Sequence, residues 1–156
     1  MNLGDFVSSW QFIERNNNSI MDNKDTSFLG RGWSFPPQFT DGGRDVVMAA
    51  GPDDVQQSLE ILFGTRLEER ILQEDFGSGL HEFLFGEVNV GILNRMRNTI
   101  AEAVLYHEPR VEVNSVGVDV DGQIEGLLHI TLDYTIPASN TRFNMVYPFY
   151  LQEASI

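Results

Sequence analysis

The residues best suited to bind a charged partner lie together in the tripeptide Glu108-Pro109-Arg110. A pattern with a helical period runs into this tripeptide, and a pattern with a strand period leaves it. Proline cannot continue a helix, and it disfavours helical angles in the residue before it. The sequence therefore predicts a corner that holds a carboxylate and a guanidinium close together. An arginine at such a corner can fork onto a carboxylate or onto the backbone carbonyls of a partner.

The 23 acidic residues raise the question of glycosidase chemistry. Such an enzyme needs two carboxylates that face one cleft, one of them with a raised pKa. The acidic pairs Asp53-Asp54, Glu68-Glu69 and Glu74-Asp75 are sequence neighbours, and adjacent residues of a helix do not face each other. Such pairs are typical of solvated surfaces and helix starts. We therefore predict no catalytic residue, and that the chain is not an enzyme.

The sequence also carries no pattern typical of a metal or phosphate site. His81, His107 and His129 lack the close spacing of zinc ligands. The segment Gly30-Arg31-Gly32 is too short for a phosphate-binding loop and lacks the lysine that follows in one. We expect neither a metal nor a cofactor.

Composition narrows the classes of partner. The formal charge of −13 makes nucleic acid and anionic membranes unfavourable partners, because both repel an acidic surface. The chain has no cysteine, which excludes disulfides and fits a reducing compartment such as the cytoplasm. There is no apolar run of about 18 residues, so no membrane-spanning helix is predicted.

Two segments are predicted from the amino-terminal third of the chain. Residues 1–27 form an amino-terminal arm and residues 28–156 a single domain. The arm is either a frayed terminus or a segment that orders against a neighbour, and the sequence leaves both open. Residues 28–39 hold two glycines and two prolines, which exclude a helix. We expect this extended aromatic and proline segment, which precedes the helices, to cross the core and to bury most of its rings, Phe28, Trp33, Phe35 and Phe39.

Helical patterns follow. The start Gly51-Pro52-Asp53-Asp54 predicts a helix that ends at Gly64, because acidic residues in the first turn complement the helix dipole. The segment 66–76 is ambiguous, and its aliphatic residues Leu67, Ile71 and Leu72 are predicted to be buried. A short helical piece covers 80–85, and a long amphipathic helix covers about 89–107.

Three strand patterns come after the corner. The first changes phase at Asn114-Ser115, which predicts a bulge, and Asp121-Gly122 predicts a tight turn. The second runs from Leu128 to Ile136 and the third from Phe143 to Leu151. Helices followed by a strand meander indicate an α+β fold, with helices packed on a small three-stranded antiparallel sheet.

The order of these segments resembles the baseplate wedge family of contractile tails. The resemblance rests on the aromatic segment 28–39, the stretch Leu62–Thr65, the Phe76-Gly77 break and the Glu108-Pro109-Arg110 corner. It covers roughly residues 28–151. Members of this family occur in contractile phages, type VI secretion baseplates and extracellular contractile injection particles.

The resemblance implies a structural subunit that links the baseplate wedge to the first sheath ring and initiates sheath assembly. Its implied partners are the sheath protein, through strand addition to the sheet, and the wedge proteins, with tube or hub proteins as further contacts. Six copies in a ring are implied, assembled in the cytoplasm as part of a contractile particle or virion baseplate. Some relatives carry a lysozyme-like label, so a peptidoglycan hydrolase is the alternative. A soluble adaptor unrelated to contractile tails is a third hypothesis.

Two partner-binding surfaces follow from this comparison. The family docks its Glu-Pro-Arg motif onto the wedge, and we carry that role onto Glu108, Pro109 and Arg110. The competing interpretation is a local surface ion pair worth about 0–1 kcal/mol. The other surface is a sheet edge open to strand addition. We assign it to the last strand, at Arg142, Phe143, Asn144, Met145, Val146 and Tyr147. We expect Arg110→Ala to leave the monomer folded and to block assembly.

Overall fold

Residues 27–151, the part of the chain that the computed structural model describes, form two α-helices and seven β-strands. The predicted α+β class is therefore confirmed. The predicted arm, residues 1–27, lies outside the described residues except for Ser27. The division into an arm and a domain spanning 28–156 stays a prediction.

The aromatic segment 28–39 pairs with residues 45–50, which follow it, and does not cross the core. Strand β1 (Arg31–Trp33) pairs antiparallel with β4 (Met48–Ala50), and β2 (Phe39–Thr40) pairs with β3 (Asp45–Val46). The prediction that most of its rings are buried is wrong, because the side chains of Phe28, Trp33, Phe35 and Phe39 are all exposed. Strands this short form a narrow ribbon, and within residues 27–151 no second layer covers both of its faces. From this part of the chain, Leu29 and Ala49 reach the core.

Both predicted helices form near their predicted ends. Helix α1 (Pro52–Gly64) begins with a proline, where the missing N–H costs nothing, and has two acidic residues in its first turn. Helix α2 (Val90–His107) begins after Asn89, whose side-chain oxygen accepts a hydrogen bond from the N–H of Ile92 at 2.9 Å. A short 3-10 helix, Leu80–Phe83, lies where the short helical piece was predicted.

The segment 66–76 forms a closed loop with its aliphatic residues outside, so the predicted burial of Leu67, Ile71 and Leu72 is wrong. Leu67 is exposed, and Ile71 and Leu72 are 91% and 95% exposed. The loop closes on itself through the N–H of Glu68, which donates to the carbonyl of Glu74 at 2.7 Å. A loop that satisfies its own backbone in this way has no need to lie across the core.

The carboxy-terminal half is an antiparallel meander in the order β5-β6-β7. Strand β5 is Glu112–Val120, β6 is Leu127–Ile136 and β7 is Thr141–Tyr150. The predicted bulge is confirmed by a register shift between Val113 and Ser115. The predicted tight turn at Asp121-Gly122 is a longer connection between Val120 and Leu127, in which the Asp121 carboxylate accepts the N–H groups of residues 123 and 124.

The core lies between one face of this sheet and the two helices. Alternate residues of β6 are buried toward the helices, beginning at Leu128 and ending at Ile136. Helix α2 contributes Met96 and Ile100, and helix α1 contributes Leu59. The other face of the sheet is polar and partly exposed. The sheet therefore has one buried face and two outer strands, β5 and β7, whose edges differ in ways that bear on function.

Candidate partner-binding site

The corner after α2 has the predicted geometry. Glu108 caps the helix with φ −130° and ψ 75°, outside the helical region, and its N–H donates to the carbonyl of Val104 at 2.9 Å. Its own carbonyl accepts from Val111 at 3.3 Å, which turns the chain toward β5. Pro109 is exposed at the outside of the turn. The proline thus marks the place where the helix stops and the sheet begins.

At this corner Arg110 forks onto Glu108 of its own chain. Nε donates to Oε1 at 2.6 Å and Nη2 donates to Oε2 at 2.7 Å, a bidentate pair. The Glu108 side chain is only 3% exposed, whereas that of Arg110 is 28% exposed. The pair is therefore local, as the competing interpretation proposed, but its carboxylate is buried and is not on the surface.

Arg110 also binds two other parts of the chain. Its Nη1 donates to the carbonyl of Leu29 at 2.8 Å and to Oδ2 of Asp54 at 2.6 Å. Gly32 makes room for this arrangement, since a Cβ there would lie 2.5 Å from Oδ1 of Asp54. One guanidinium therefore joins the start of the aromatic segment, the first turn of α1 and the end of α2. We call Glu108, Arg110, Asp54 and the Leu29 carbonyl the elbow cluster.

Glu108 and Arg110 stabilise each other in the charged form. Burial raises the pKa of Glu108, but hydrogen bonds from Arg110 and from the Ser58 hydroxyl outweigh it, so the pKa lies below its usual value. The bond to Glu108 is also the main reason that the pKa of Arg110 is raised. Glu108 and Arg110 therefore stay charged throughout the physiological range and form a structural ion pair that does not exchange protons.

Four of the five N–H groups of Arg110 are used within the chain. The role of Glu108, Pro109 and Arg110 in docking to the wedge stays a prediction. The predicted contact can be described more closely. A docking partner would contact exposed Pro109 and the solvent-facing side of the Arg110 guanidinium, which its own chain already holds in place. The contributions of Leu29, Asp54 and Ser58 were missed from the sequence. A backbone carbonyl carries no sequence signal, and Asp54 was assigned to the helix start and to a solvated surface.

The other predicted site lies along β7, where the backbone alternates in direction. The N–H of Leu151 donates to the carbonyl of Gly126 at 2.7 Å, one step beyond the pair Tyr150 and Leu127. Hydrogen-bonded pairs alternate along an antiparallel ladder, so odd-numbered residues of β7 bond to β6. The backbone groups of Arg142, Asn144 and Val146 therefore point away from the sheet. Pro148 is also even-numbered, so its missing N–H does not remove a hydrogen bond to β6.

Side chains on β7 divide in the same way. The side chains of Phe143, Met145 and Tyr147 face the core, where Tyr147 meets Phe63 edge to face with ring centres 5.6 Å apart. Arg142 pairs with Asp133 on the polar face, with Nε 2.7 Å from Oδ1. The predicted β7 residues therefore form one continuous strip: three side chains anchor it, and three backbone units face outward.

The two outer strands offer different edges. Strand β5 is interrupted by the bulge at Asn114, and Nη2 of Arg97 on α2 donates to its Val118 carbonyl at 3.2 Å. Strand β7 pairs with β6 from Thr141 to Tyr150 without a register shift, and no further strand lies beside it within residues 27–151. Strand β7 is therefore the more regular edge. It lies across the sheet from the elbow cluster, so the two predicted sites are not brought together.

Within residues 27–151 no group of three His, Cys, Asp or Glu side chains is placed to hold a metal ion. Burial raises the pKa of Glu60, although a hydrogen bond from Gln56 opposes the shift. Burial also lowers the pKa of His81, helped by nearby Arg66. No helix in the described part is long and apolar enough to cross a bilayer.

The chain matches known proteins over most of its length. The model of the family described as baseplate wedge protein gp25 matches residues 49–141. A crystal structure from Geobacter sulfurreducens, of a protein that has been called a tail lysozyme, is 38% identical with a TM-score of 0.65. That alignment covers 70% of this chain and 98% of the other. No curated protein matches the chain significantly.

A chain in the sixfold-symmetrised cryo-EM structure of the anti-feeding prophage baseplate is 31% identical with a TM-score of 0.58. That alignment covers 81% of this chain and 89% of the other. The family model spans the helices, the elbow cluster except for Leu29, and the sheet up to the start of β7. The sequence order of segments, the fold and both structural neighbours agree, and the chain belongs to the baseplate wedge protein gp25 family.

Proposed function

We propose that this chain is a non-enzymatic baseplate subunit of a contractile particle that initiates the sheath by accepting a sheath strand along β7. The observation that carries the proposal is the regular outer edge of β7, with the backbone groups of Arg142, Asn144 and Val146 turned outward. Its membership of a baseplate wedge family supplies the context.

Strand addition suits this edge for a physical reason. Each outward residue offers an N–H and a carbonyl, and each backbone bond formed contributes about 0.5–1.5 kcal/mol net. Three outward residues can therefore make up to six bonds, enough to hold an extended segment in register. The Phe143 and Tyr147 side chains of β7 pack against the hydrophobic core and anchor the strand. On β5 the bulge and the Arg97 bond oppose the same addition.

The proposal assigns the elbow cluster to the wedge side of the subunit. Arg110 is held by four intramolecular hydrogen bonds, so Pro109 and the corner backbone would lose little conformational freedom on binding. A pre-ordered surface binds with a smaller entropy cost than a mobile one. We further propose six copies in a ring, assembled in the cytoplasm, with tube or hub proteins as further contacts. The sixfold-symmetrised baseplate that contains a similar chain supports the copy number.

A pair of substitutions at one residue tests strand addition. Asn144→Pro removes an outward N–H and leaves the β6–β7 ladder intact, whereas Asn144→Ala keeps that N–H. We expect both variants to fold and to enter baseplates. The proline variant would give baseplates without sheath, and the alanine variant would give sheathed particles. Sheathed particles from a folded Asn144→Pro variant would contradict the proposed role of β7.

A hydrolase is the second candidate, because one structural relative has been called a tail lysozyme and burial raises the pKa of Glu60. A general acid in a glycosidase has a raised pKa, whereas that of Glu108 is lowered. The test is clearing of purified cell walls by the wild-type chain and by the Glu60→Gln variant. We expect no clearing by either protein. Clearing that Glu60→Gln abolishes would favour the hydrolase.

A further inference from the structure

The loop between the two helices carries two aliphatic side chains that have almost no contact with the other described residues. Ile71 and Leu72 are 91% and 95% exposed at its tip. Single exposed aliphatic residues are common on protein surfaces, but two adjacent ones at a loop tip form a projecting apolar unit. We call this pair the loop tip.

The base of the loop is firmly held. The Arg66 N–H donates to Oε2 of Glu69 at 2.8 Å, and the guanidinium of Arg70 lies 3.8 Å from the centre of the Phe76 ring. At Gly77 a Cβ would lie 2.9 Å from three backbone atoms of residues 65–67, so the chain closes there too tightly for any side chain. The loop tip is therefore presented in a defined position.

The loop is also joined to the elbow. The ring of Phe76 meets that of His107 edge to face, with centres 5.2 Å apart, and His107 is the residue before Glu108. The base of the loop and the end of α2 thus form one continuous part of the surface. A partner that docks on the elbow can reach the loop without crossing the molecule.

Charge around the loop tip indicates the kind of partner. Residues 66–76 contain four exposed carboxylates, on Glu68, Glu69, Glu74 and Asp75, against two guanidiniums. One of these guanidiniums, that of Arg70, is turned onto Phe76 and the Gln73 side chain. The whole chain carries −13, so a second copy would bring like charge to this loop. An apolar centre inside an acidic rim fits an apolar pocket inside a basic rim.

We propose that Ile71 and Leu72 insert into an apolar pocket of another baseplate protein, and that lysine or arginine side chains of that protein surround the pocket. The inference rests on the proposed function only in that the chain must be built into a baseplate. The contact is separate from strand addition at β7. It makes the elbow end of the molecule a two-part docking surface, with a rigid corner and a projecting apolar tip.

The test compares the loop tip with an equally apolar position at the far end of α2. The double variant Ile71→Ser and Leu72→Ser is matched with Val90→Ser, since Val90 is also exposed and lies at the other end of that helix. Because neither change touches the core, all variants should keep the wild-type melting temperature. We expect the loop-tip variant to enter baseplates about tenfold less or worse, as for a small interface anchor, while Val90→Ser enters normally.

Cross-linking then identifies the pocket. The natural chain has no cysteine, so Ile71→Cys labelled with a benzophenone maleimide carries one photoreactive group. We expect one dominant cross-link, to a different protein, at a peptide with apolar residues flanked by lysine or arginine. Normal baseplate entry of the double variant, a dominant cross-link to another copy of this chain, or no more cross-linking than from labelled Val90→Cys would overturn the inference. If the wild-type chain is itself missing from baseplates, the proposed function fails, a result distinct from these.

Discussion

Removing the Arg110 side chain should destabilise the monomer, which changes one expectation drawn from the sequence. Arg110→Ala would delete four hydrogen bonds and leave the Glu108 carboxylate buried without its cation. Breaking a buried ion pair from one side costs about 3–5 kcal/mol. Because the guanidinium is 28% exposed, water can replace part of what is lost, and we expect the lower end, about 3 kcal/mol.

The size of this effect can be separated from ordinary side-chain loss by a double-mutant cycle. Glu108→Gln, Arg110→Ala and the double variant are compared in urea unfolding followed by circular dichroism. We expect a coupling free energy of about 2 kcal/mol, because the two side chains share two charged bonds. In thermal melts Arg110→Ala should lower the midpoint by roughly 10 °C in a domain of this size.

Arg142→Ala provides the matched control. It removes another arginine that forks onto a carboxylate, that of Asp133, but the Arg142 side chain is exposed to water. We expect little change in the free energy of unfolding from this variant. Equal losses from the two arginine variants, or additive effects of Glu108→Gln and Arg110→Ala, would refute the account of the elbow cluster. Assembly experiments on Arg110→Ala must therefore be run well below its melting temperature.

Other positions give sharp expectations. Gly77→Ala should lower the free energy of unfolding by about 2 kcal/mol or more in urea titration, because its Cβ would lie 2.9 Å from three backbone atoms of residues 65–67, whereas Gly122→Ala, with open space around it, should be nearly neutral. Asn89→Ala should cost about 1 kcal/mol through loss of the helix cap, and an unchanged unfolding midpoint would argue against that bond. The folded pKa of Glu108 lies below its unfolded value, so its charge stabilises the protein above about pH 4.5, and that contribution is lost as pH falls below this value. The stability of wild type should therefore drop more steeply in acid than that of Glu108→Gln, and parallel pH profiles would contradict this.

Much of the fold could be predicted from local patterns. The start of α1, the start of α2 near Asn89 and the bulge at Asn114 each depend on a few neighbouring residues with strong preferences. The corner at Pro109 is of the same kind, since a proline acts on its immediate neighbours. The change of the hydrophobic pattern from a helical to a strand period predicted where the sheet begins.

The misjudged features depend on distant contacts. Whether Trp33 or Ile71 is buried is decided by which layer covers it, and that depends on how far the ribbon and the loop fold back on themselves. The acceptor at Leu29 is a backbone carbonyl 81 positions before Arg110, and no side-chain type marks it. Gly32 was weighed for phosphate binding, but its role is to admit the Asp54 carboxylate beside the backbone. An apolar residue type in the sequence therefore did not by itself predict burial in the core.

We propose that the outward backbone groups of β7 form hydrogen bonds with a strand from the sheath. A cryo-EM reconstruction of the assembled particle at side-chain resolution tests it most directly. We expect an extended segment of a sheath subunit beside β7, bonded to the backbone of Arg142, Asn144 and Val146. A reconstruction in which the β7 edge is bare, or is covered by residues of the same chain, would contradict the account.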